Sequence, residues 1–310
     1  MRIIYMGTPD FAVPPLKHLY EEGYSVISVV TQPDKPKNRG KKVLPPPVKS
    51  LAEKLGIPVI QPQRIKENKE LLVEIQALQP DLIVVAAYGK ILPKELLSIP
   101  RLGCVNIHGS LLPKYRGAAP IQWAIFSGEK ETGVTLMYMS EGMDEGDMIA
   151  SRSTPINYKT AGELHEELSV MGANLLIETL PLIKNNEAPR VKQNEAYANY
   201  APMINKKDGQ VDFSRTSEEI ERQIRAMNPW PGAYTFYKGE RMKLLSAKTL
   251  SEPEAGCIPG TVIFARPDGI GIKTGNGVLS VTKIQMPGKR EMEVSEFLKG
   301  NQIEINTVLG

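Results

Sequence analysis

Short apolar runs suited to buried strands alternate with helical patterns over the first half of the chain, and this alternation limits the fold more than any other feature. Arg2–Met6 is followed by a helical stretch at Phe11–Glu22, and Ser25–Thr31 by one at Val48–Leu55. A further helical stretch at Glu67–Leu78 leads into Asp81–Ala86. Such an order predicts βαβ units and a parallel sheet. The run Pro80-Asp-Leu-Ile-Val-Val-Ala-Ala87 is apolar on both faces, as a central strand covered by helices must be. Gly103-Cys-Val-Asn-Ile-His108 reads as the next strand. A helix near Ile121–Ser127, strands near Gly133–Met139 and Met148–Thr154, and a long helix over Ala161–Lys184 follow. In the long helix Leu164, Leu168, Met171 and Leu175 recur at helical spacing and are expected to face the sheet.

The pattern changes after Lys184. From Asn185 to Asn205 the residues are mostly Asn, Glu, Pro, Gln and Lys with scattered tyrosines, as in an interdomain linker. One helix, Ser217–Met227, precedes short strand candidates separated by Lys238-Gly239, Pro267-Asp-Gly269 and Gly275-Asn-Gly277, which suggests a small β-barrel. The fold class is therefore α/β: a parallel or mixed sheet domain over residues 1–188, a linker over 189–205, and a β-barrel domain over 206–310. At 310 residues the chain is long enough for two cores. A net charge of +3 permits a nucleic-acid partner without predicting one. Cys104 and Cys257 have no metal-ligand spacing and read as reduced thiols. The opening Ile3-Ile-Tyr-Met6 is too short for a signal-peptide core or a membrane span, so a cytoplasmic protein without membrane contact is expected. No obligate protein partner is evident.

Side chains alternate faces along a strand, so Asn106 and His108 project from the same side where their strand stops. A polar pair at the C-terminal edge of a strand, followed by a Gly/Ser/Pro turn, sits where open α/β sheets place ligands. The chemistry it suits is acyl transfer. An amide donor attacked by an amine develops an oxyanion, and the Asn106 amide and the His108 ring both supply N–H donors. The attacking amine must lose a proton while the departing nitrogen gains one. Asp144, between Gly142 and Gly146, is the carboxylate placed to orient the imidazole or hold a shuttling water. No activated Ser, Cys or Lys accompanies His108, so attack is direct. Asp144, Glu145 and Asp147 lack a calcium-loop or histidine-containing ligand pattern, and no metal is expected.

Asn106, His108, the Ser110-Leu-Leu-Pro113 run and the Gly-flanked Asp144 together resemble the folate-dependent formyltransferases. The further segments Gly7-Thr-Pro-Asp-Phe-Ala12, Thr31-Gln-Pro-Asp34, Arg39-Gly-Lys-Lys42, Pro45-Pro-Pro-Val-Lys49, Ala87-Tyr-Gly89, Lys114-Tyr-Arg-Gly-Ala-Ala-Pro120 and Asn228-Pro-Trp-Pro231 look like the methionyl-tRNA formyltransferases among them, and the match spans essentially the whole chain. The resemblance implies an N-terminal Rossmann-like domain and a C-terminal OB-like β-barrel that binds tRNA. It also implies 10-formyltetrahydrofolate as formyl donor and methionyl initiator tRNA as acceptor. Asn106, His108 and Asp144 become the catalytic trio. Ser110, Leu111, Leu112 and Pro113, with Tyr88, Gly89, Ile91 and Leu92, become folate contacts, and Arg39, Lys41 and Lys42 become tRNA contacts.

Read without the resemblance, these features leave other outcomes open. Gly7-Thr-Pro-Asp10 lacks the later glycines of a dinucleotide fingerprint, which disfavours a nicotinamide enzyme, and Pro9 suits a helix start as well as a substrate contact. Gln32 to Lys49 is a long basic Pro-rich loop, either functional or simply solvated. Lys206, Lys207, Arg222, Arg225, Lys243, Lys248, Lys289 and Arg290 form either a basic face or an ordinary mixed surface. A formyltransferase for a small amino sugar or nucleotide and an RNA-binding module with an inactive α/β domain are the rival functions.

Overall fold

The computed structural model describes residues 1–37, 42–251 and 256–310. They group into two compact units. One comprises Met1–Pro120, Glu131–Pro155 and His165–Pro202, and the other Ile121–Lys130, Ile156–Leu164 and Met203–Gly310.

The first unit is built on a seven-stranded sheet of β1 (Arg2–Gly7), β2 (Ser25–Val30), β3 (Val59–Ile60), β4 (Leu82–Ala86), β5 (Cys104–His108), β6 (Glu131–Tyr138) and β7 (Met148–Pro155). Their order is β7-β6-β5-β4-β1-β2-β3. Pairing is parallel from β5 through to β3, and β6 runs antiparallel to both β5 and β7. The mixed sheet matches the Rossmann-like expectation. Helices α1 (Val13–Glu21) and α2 (Pro47–Lys54) carry the chain outward from β1 to β3, and α3 (Lys69–Ala77) returns it to β4 on the other side of β1. The order of strands therefore reverses between β1 and β4. Each short helix has a local reason to start. Prolines at the head of α1 and α2 fit a first turn whose N–H groups lack partners, and the Asn68 side chain caps α3 by accepting from Leu71 N–H.

Ile3 to Met6 of β1 and Leu82 to Ala86 of β4 are fully or nearly fully buried, as the doubly apolar run predicts. One side of the core joins Ile4, Met6, Ile83 and Val85 to Leu71 and Ile75 of α3 and to Leu96. After α4 (Lys94–Leu97) and α5 (Pro120–Phe126), the long helix α6 (Ala161–Lys184) backs β5. A Cβ on Gly172 would lie 2.6 Å from Cγ2 of Ile107, the residue between Asn106 and His108. Leu164, Leu168 and Leu175 of α6 are buried as expected, and Met171 is half-buried.

Two segments are more ordered than their composition suggests. Within the expected loop of residues 32–49, Lys35–Lys37 pairs antiparallel with Lys42–Leu44, and α2 already begins at Pro47. The segment read as a linker, 189–205, is bound along the first unit as far as Pro202. Val191 bridges Met148, and Tyr200–Ala201 pairs in parallel with Arg116–Gly117. Polar composition did not reveal this because the segment is held by hydrogen bonds and not by an apolar face.

The second unit contains α7 (Ser217–Ala226) and an antiparallel sheet of β8 (Ala233–Tyr237), β9 (Glu240–Leu250), β10 (Val262–Arg266), β11 (Gly269–Lys273), β12 (Val278–Gln285) and β13 (Met292–Glu293). The order is β8-β9-β12-β11-β10, with β13 beside β12, and this is the β domain expected as OB-like. Thr216 and Glu219 form a reciprocal capping box at the head of α7. Lys238 and Gly239 both have positive φ, as a two-residue hairpin turn between β8 and β9 requires. Among the described residues no helix is long and apolar enough to cross a membrane.

Burial pushes the Cys104 thiol on β5 up to about 12, whereas Cys257 is half-buried. Since thiolate is the reactive form, one thiol per chain is expected to react with a disulfide reagent in the native protein at pH 8, and the second only after unfolding. Two fast equivalents would contradict the packing of β5.

Candidate active site

Three sequence motifs meet where the strand order reverses, the position at which open α/β sheets bind ligands. Thr8 follows β1, Gln32 follows β2 and Tyr88 follows β4. The Gln32 side-chain amide donates to the Tyr88 carbonyl at 2.8 Å, and the Gln32 backbone N–H reaches the Thr8 hydroxyl at 3.4 Å. Asp34 anchors the adjoining turn by accepting from Lys49 at 2.8 Å and Gln61 at 2.7 Å. The Gln61 amide and the Lys49 ammonium hold its carboxyl below the usual value.

The next strand end carries the polar pair. Asn106 is half-buried, and among the described residues its side chain makes no hydrogen bond. His108 is buried, and its Nε2–H donates to the Tyr115 carbonyl at 2.9 Å. That bond fixes which nitrogen carries the proton in the neutral ring. Nδ1 faces the Asp144 carboxylate at 3.6 Å, too long for a direct hydrogen bond. The backbone of Tyr115 thus makes the direct contact expected of Asp144, while Asp144 stands opposite the other nitrogen. Asp144 itself sits at φ 55° and accepts from the Gly117 N–H at 2.9 Å.

Residues that no motif singled out complete the frame. Thr135, opposite His108 in the β5–β6 register, donates to the Ser110 carbonyl at 2.7 Å and accepts from Leu112 N–H at 3.1 Å. It pins the turn that follows His108. Gln193 donates to the carbonyls of Asp144 and Gly146 at 2.7 and 2.8 Å and accepts from Arg116 Nε at 3.0 Å. Arg116 is only 1% exposed, and its two Nη atoms grip Glu195 at 3.0 and 2.7 Å. Each partner shifts the other, raising the guanidinium and lowering the carboxyl. Asn199 accepts from Tyr115 N–H through its side chain and from Arg116 N–H through its backbone. The only advance signal was length, because a chain of this composition needs no twenty-residue connection that binds nothing.

The other expected contacts divide by side chain. Ser110 is buried and donates to the Lys114 carbonyl at 2.6 Å; Leu112 is buried, and Leu111 and Pro113 are half-buried. Tyr88 and Leu92 point into the core, with the Tyr88 carbonyl accepting from Gln32, whereas Ile91 is 68% exposed. Gly89 has positive φ, and a Cβ there would lie 2.8 Å from the Gln32 amide. Arg39 and Lys41 lie outside the described residues, and Lys42 opens the short strand Lys42–Leu44. Of the basic residues noted in the second unit, Arg225 is paired with Glu221 at 2.6 Å and Arg222 donates to the Phe126 carbonyl, so two of the eight are committed internally. Among the described residues no group of three His, Cys, Asp or Glu side chains is placed to hold a metal ion.

The formyl transferase family matches residues 1–180, and the formyl transferase C-terminal domain matches residues 203–302. A methionyl-tRNA formyltransferase of Clostridioides difficile (strain 630) is 51% identical over 311 residues, covering 100% of both chains. The chain belongs to the methionyl-tRNA formyltransferase family. Among solved structures, the sugar 3N-formyl transferase WlaRD aligns with a TM-score of 0.69 at 23% identity, over 94% of this chain and 99% of that one. HypX from Aquifex aeolicus in complex with tetrahydrofolic acid aligns at 0.64 and 22%, over 99% of this chain and 50% of that one. These two likenesses speak to the formyltransferase fold.

In this formyltransferase the Asp144 turn depends on Gly146, where a Cβ would lie 1.7 Å from the Tyr138 carbonyl. Gly146→Ala is therefore expected to move the turn and lower kcat by about 10²-fold, the scale of an ångström's misplacement at a reacting centre. Gly300→Ala, with nothing within 4 Å of its Cβ position, should leave the rate unchanged. Equal rates for the two variants would contradict a tightly fixed Asp144.

Proposed function

We propose that the chain transfers the formyl group of 10-formyltetrahydrofolate to the α-amino group of methionine esterified to initiator tRNA, in the cytoplasm, giving N-formylmethionyl-tRNA for translation initiation. One observation carries the chemistry. At the end of β5 the His108 imidazole lies between the Tyr115 carbonyl and the Asp144 carboxylate, and Asn106 shares its face of the strand. The choice of acceptor is supported by 51% identity along the whole chain to a methionyl-tRNA formyltransferase.

The formyl donor is a substrate: its formyl carbon bonds to the amine nitrogen and gives up its bond to N10. The amine loses a proton and N10 gains one. Asn106 donates an N–H toward the formyl oxygen as negative charge develops there. His108 keeps Nε2–H on Tyr115, so the proton leaving the amine can be taken at Nδ1, where it meets Asp144. The resulting positive charge stands at the same strand end as the oxyanion. Asp144, fixed by Gly117 N–H, passes the amine proton through water toward the leaving nitrogen.

The residues suit a pterin, which needs an apolar slot with backbone hydrogen bonds at its rim. Ile91, Leu111, Leu112 and Pro113 supply apolar surface; Gly89 and the backbone of Tyr88 and Leu92 supply polar groups, and Ser110 fixes the turn. Residues 1–188 are the catalytic part, 189–205 the connection, and 206–310 bind tRNA. Arg39, Lys41 and Lys42 contact the acceptor stem as phosphate-positioning cations.

The direct test is formyl transfer from 10-formyltetrahydrofolate to methionine-charged initiator tRNA, with charged elongator methionine tRNA and free methionine as parallel acceptors. Rapid transfer to the initiator alone is expected, and comparable transfer to free methionine would overturn the acceptor. Asp144→Asn should retain the native circular dichroism and lose roughly 10²–10⁴ in kcat, the range for a general acid or base. A near-normal rate would remove Asp144 from the mechanism.

A further inference from the structure

We infer that Gln193 is a positioning residue for formyl transfer, acting through Asp144. The inference rests on the function proposed above. Asp144 occupies a left-handed backbone conformation at φ 55°, uncommon for a residue with a Cβ, so something must hold it there. Its carboxylate is directed by Gly117 N–H, but its own carbonyl and that of Gly146 are both held by the Gln193 amide, at 2.7 and 2.8 Å. One NH₂ group thus spans the turn from the first residue to the third. Gln193 is 91% buried and comes from the segment that composition marks as a linker.

Its orientation is fixed from the other side. The Gln193 carbonyl accepts from Arg116 Nε at 3.0 Å, and a flipped amide would set its NH₂ against the guanidinium and its oxygen against two carbonyls. Arg116 in turn is held by Glu195. It also lies between Tyr115, whose carbonyl holds His108 Nε2, and Gly117, whose N–H holds Asp144. The contacts close a ring: His108, Tyr115, Arg116, Gln193, Asp144 and back to His108. Both partners of the imidazole are therefore set by one buried arginine and one buried amide. Neither Gln193 nor Arg116 needs to touch substrate for this to matter.

The test compares Gln193→Leu, Gln193→Glu and Asp144→Asn, alone and combined, in the full-length enzyme. Gln193→Glu keeps the size and an acceptor for Arg116 while removing both N–H donors, so it reports even if the leucine variant does not fold. Each Gln193 variant is expected to lower kcat by about 10²-fold, as misplacement of a reacting group does. KM for both substrates should stay within about twofold, since only the group acting in the transition state has moved. The pH profile of kcat should approach that of Asp144→Asn, and adding Gln193→Glu to Asp144→Asn should cost nothing further, as for residues acting as a unit. Multiplicative losses in the double variant, or a wild-type pH profile with lowered thermal stability, would make Gln193 merely structural and overturn the inference. A normal rate for Asp144→Asn itself would instead overturn the proposed function.

Discussion

A buried imidazole has two ring nitrogens, and each needs a polar partner, because an unpaired polar group inside a protein is costly. At His108 a backbone carbonyl takes the Nε2 proton and a carboxylate stands 3.6 Å from Nδ1, and neither group comes from the strand that carries the ring. The carbonyl of Tyr115 is aimed by a residue at φ 61°, and the carboxylate of Asp144 by one at φ 55°. Two unusual backbone conformations on two separate loops thus serve one side chain. The sheet supplies the floor beneath them: Ile107 points away from the site and seats on α6, so the strand cannot shift without opening the core.

The framework of the first unit was legible because its central strands, β1 and β4, are apolar on both faces. The strand Leu82–Ala86 could be read as central from the apolar run Pro80 to Ala87, and the face of α6 toward the sheet from Leu164, Leu168, Met171 and Leu175. The grouping of Asn106, His108 and Asp144, the trio proposed to act in catalysis, was legible for a different reason. Asn106 and His108 are close in sequence, so strand periodicity alone places them together, and Asp144 is marked by the glycines beside it. The edge strand Val59–Ile60 was not legible, since two residues carry no periodicity.

The supporting frame could not be read. Gln193, Glu195 and Asn199 bind residues 47 to 84 positions away through side-chain amides and one carboxylate. Nothing in Gln, Asn or Glu composition separates such a strap from a solvated linker, because the same groups satisfy water equally well. The role of Tyr115 is hidden still more deeply, as it acts on His108 through its backbone carbonyl. Sequence motifs therefore reported the groups that perform chemistry and passed over those that aim them.

The two compact units are not consecutive stretches of chain, and this has a consequence for biosynthesis. Ile121–Lys130 and Ile156–Leu164 belong with Met203–Gly310. The hydrogen bond from Arg222 to the Phe126 carbonyl joins residues 96 positions apart. At ordinary rates of elongation, Phe126 is made roughly 5–20 s before its partner. Through that interval α5, Pro120–Phe126, with Ile121 and Ile125 on its apolar side, has no completed unit to join. A nascent chain of this protein thus displays that apolar surface from within its first half until its second half is almost finished.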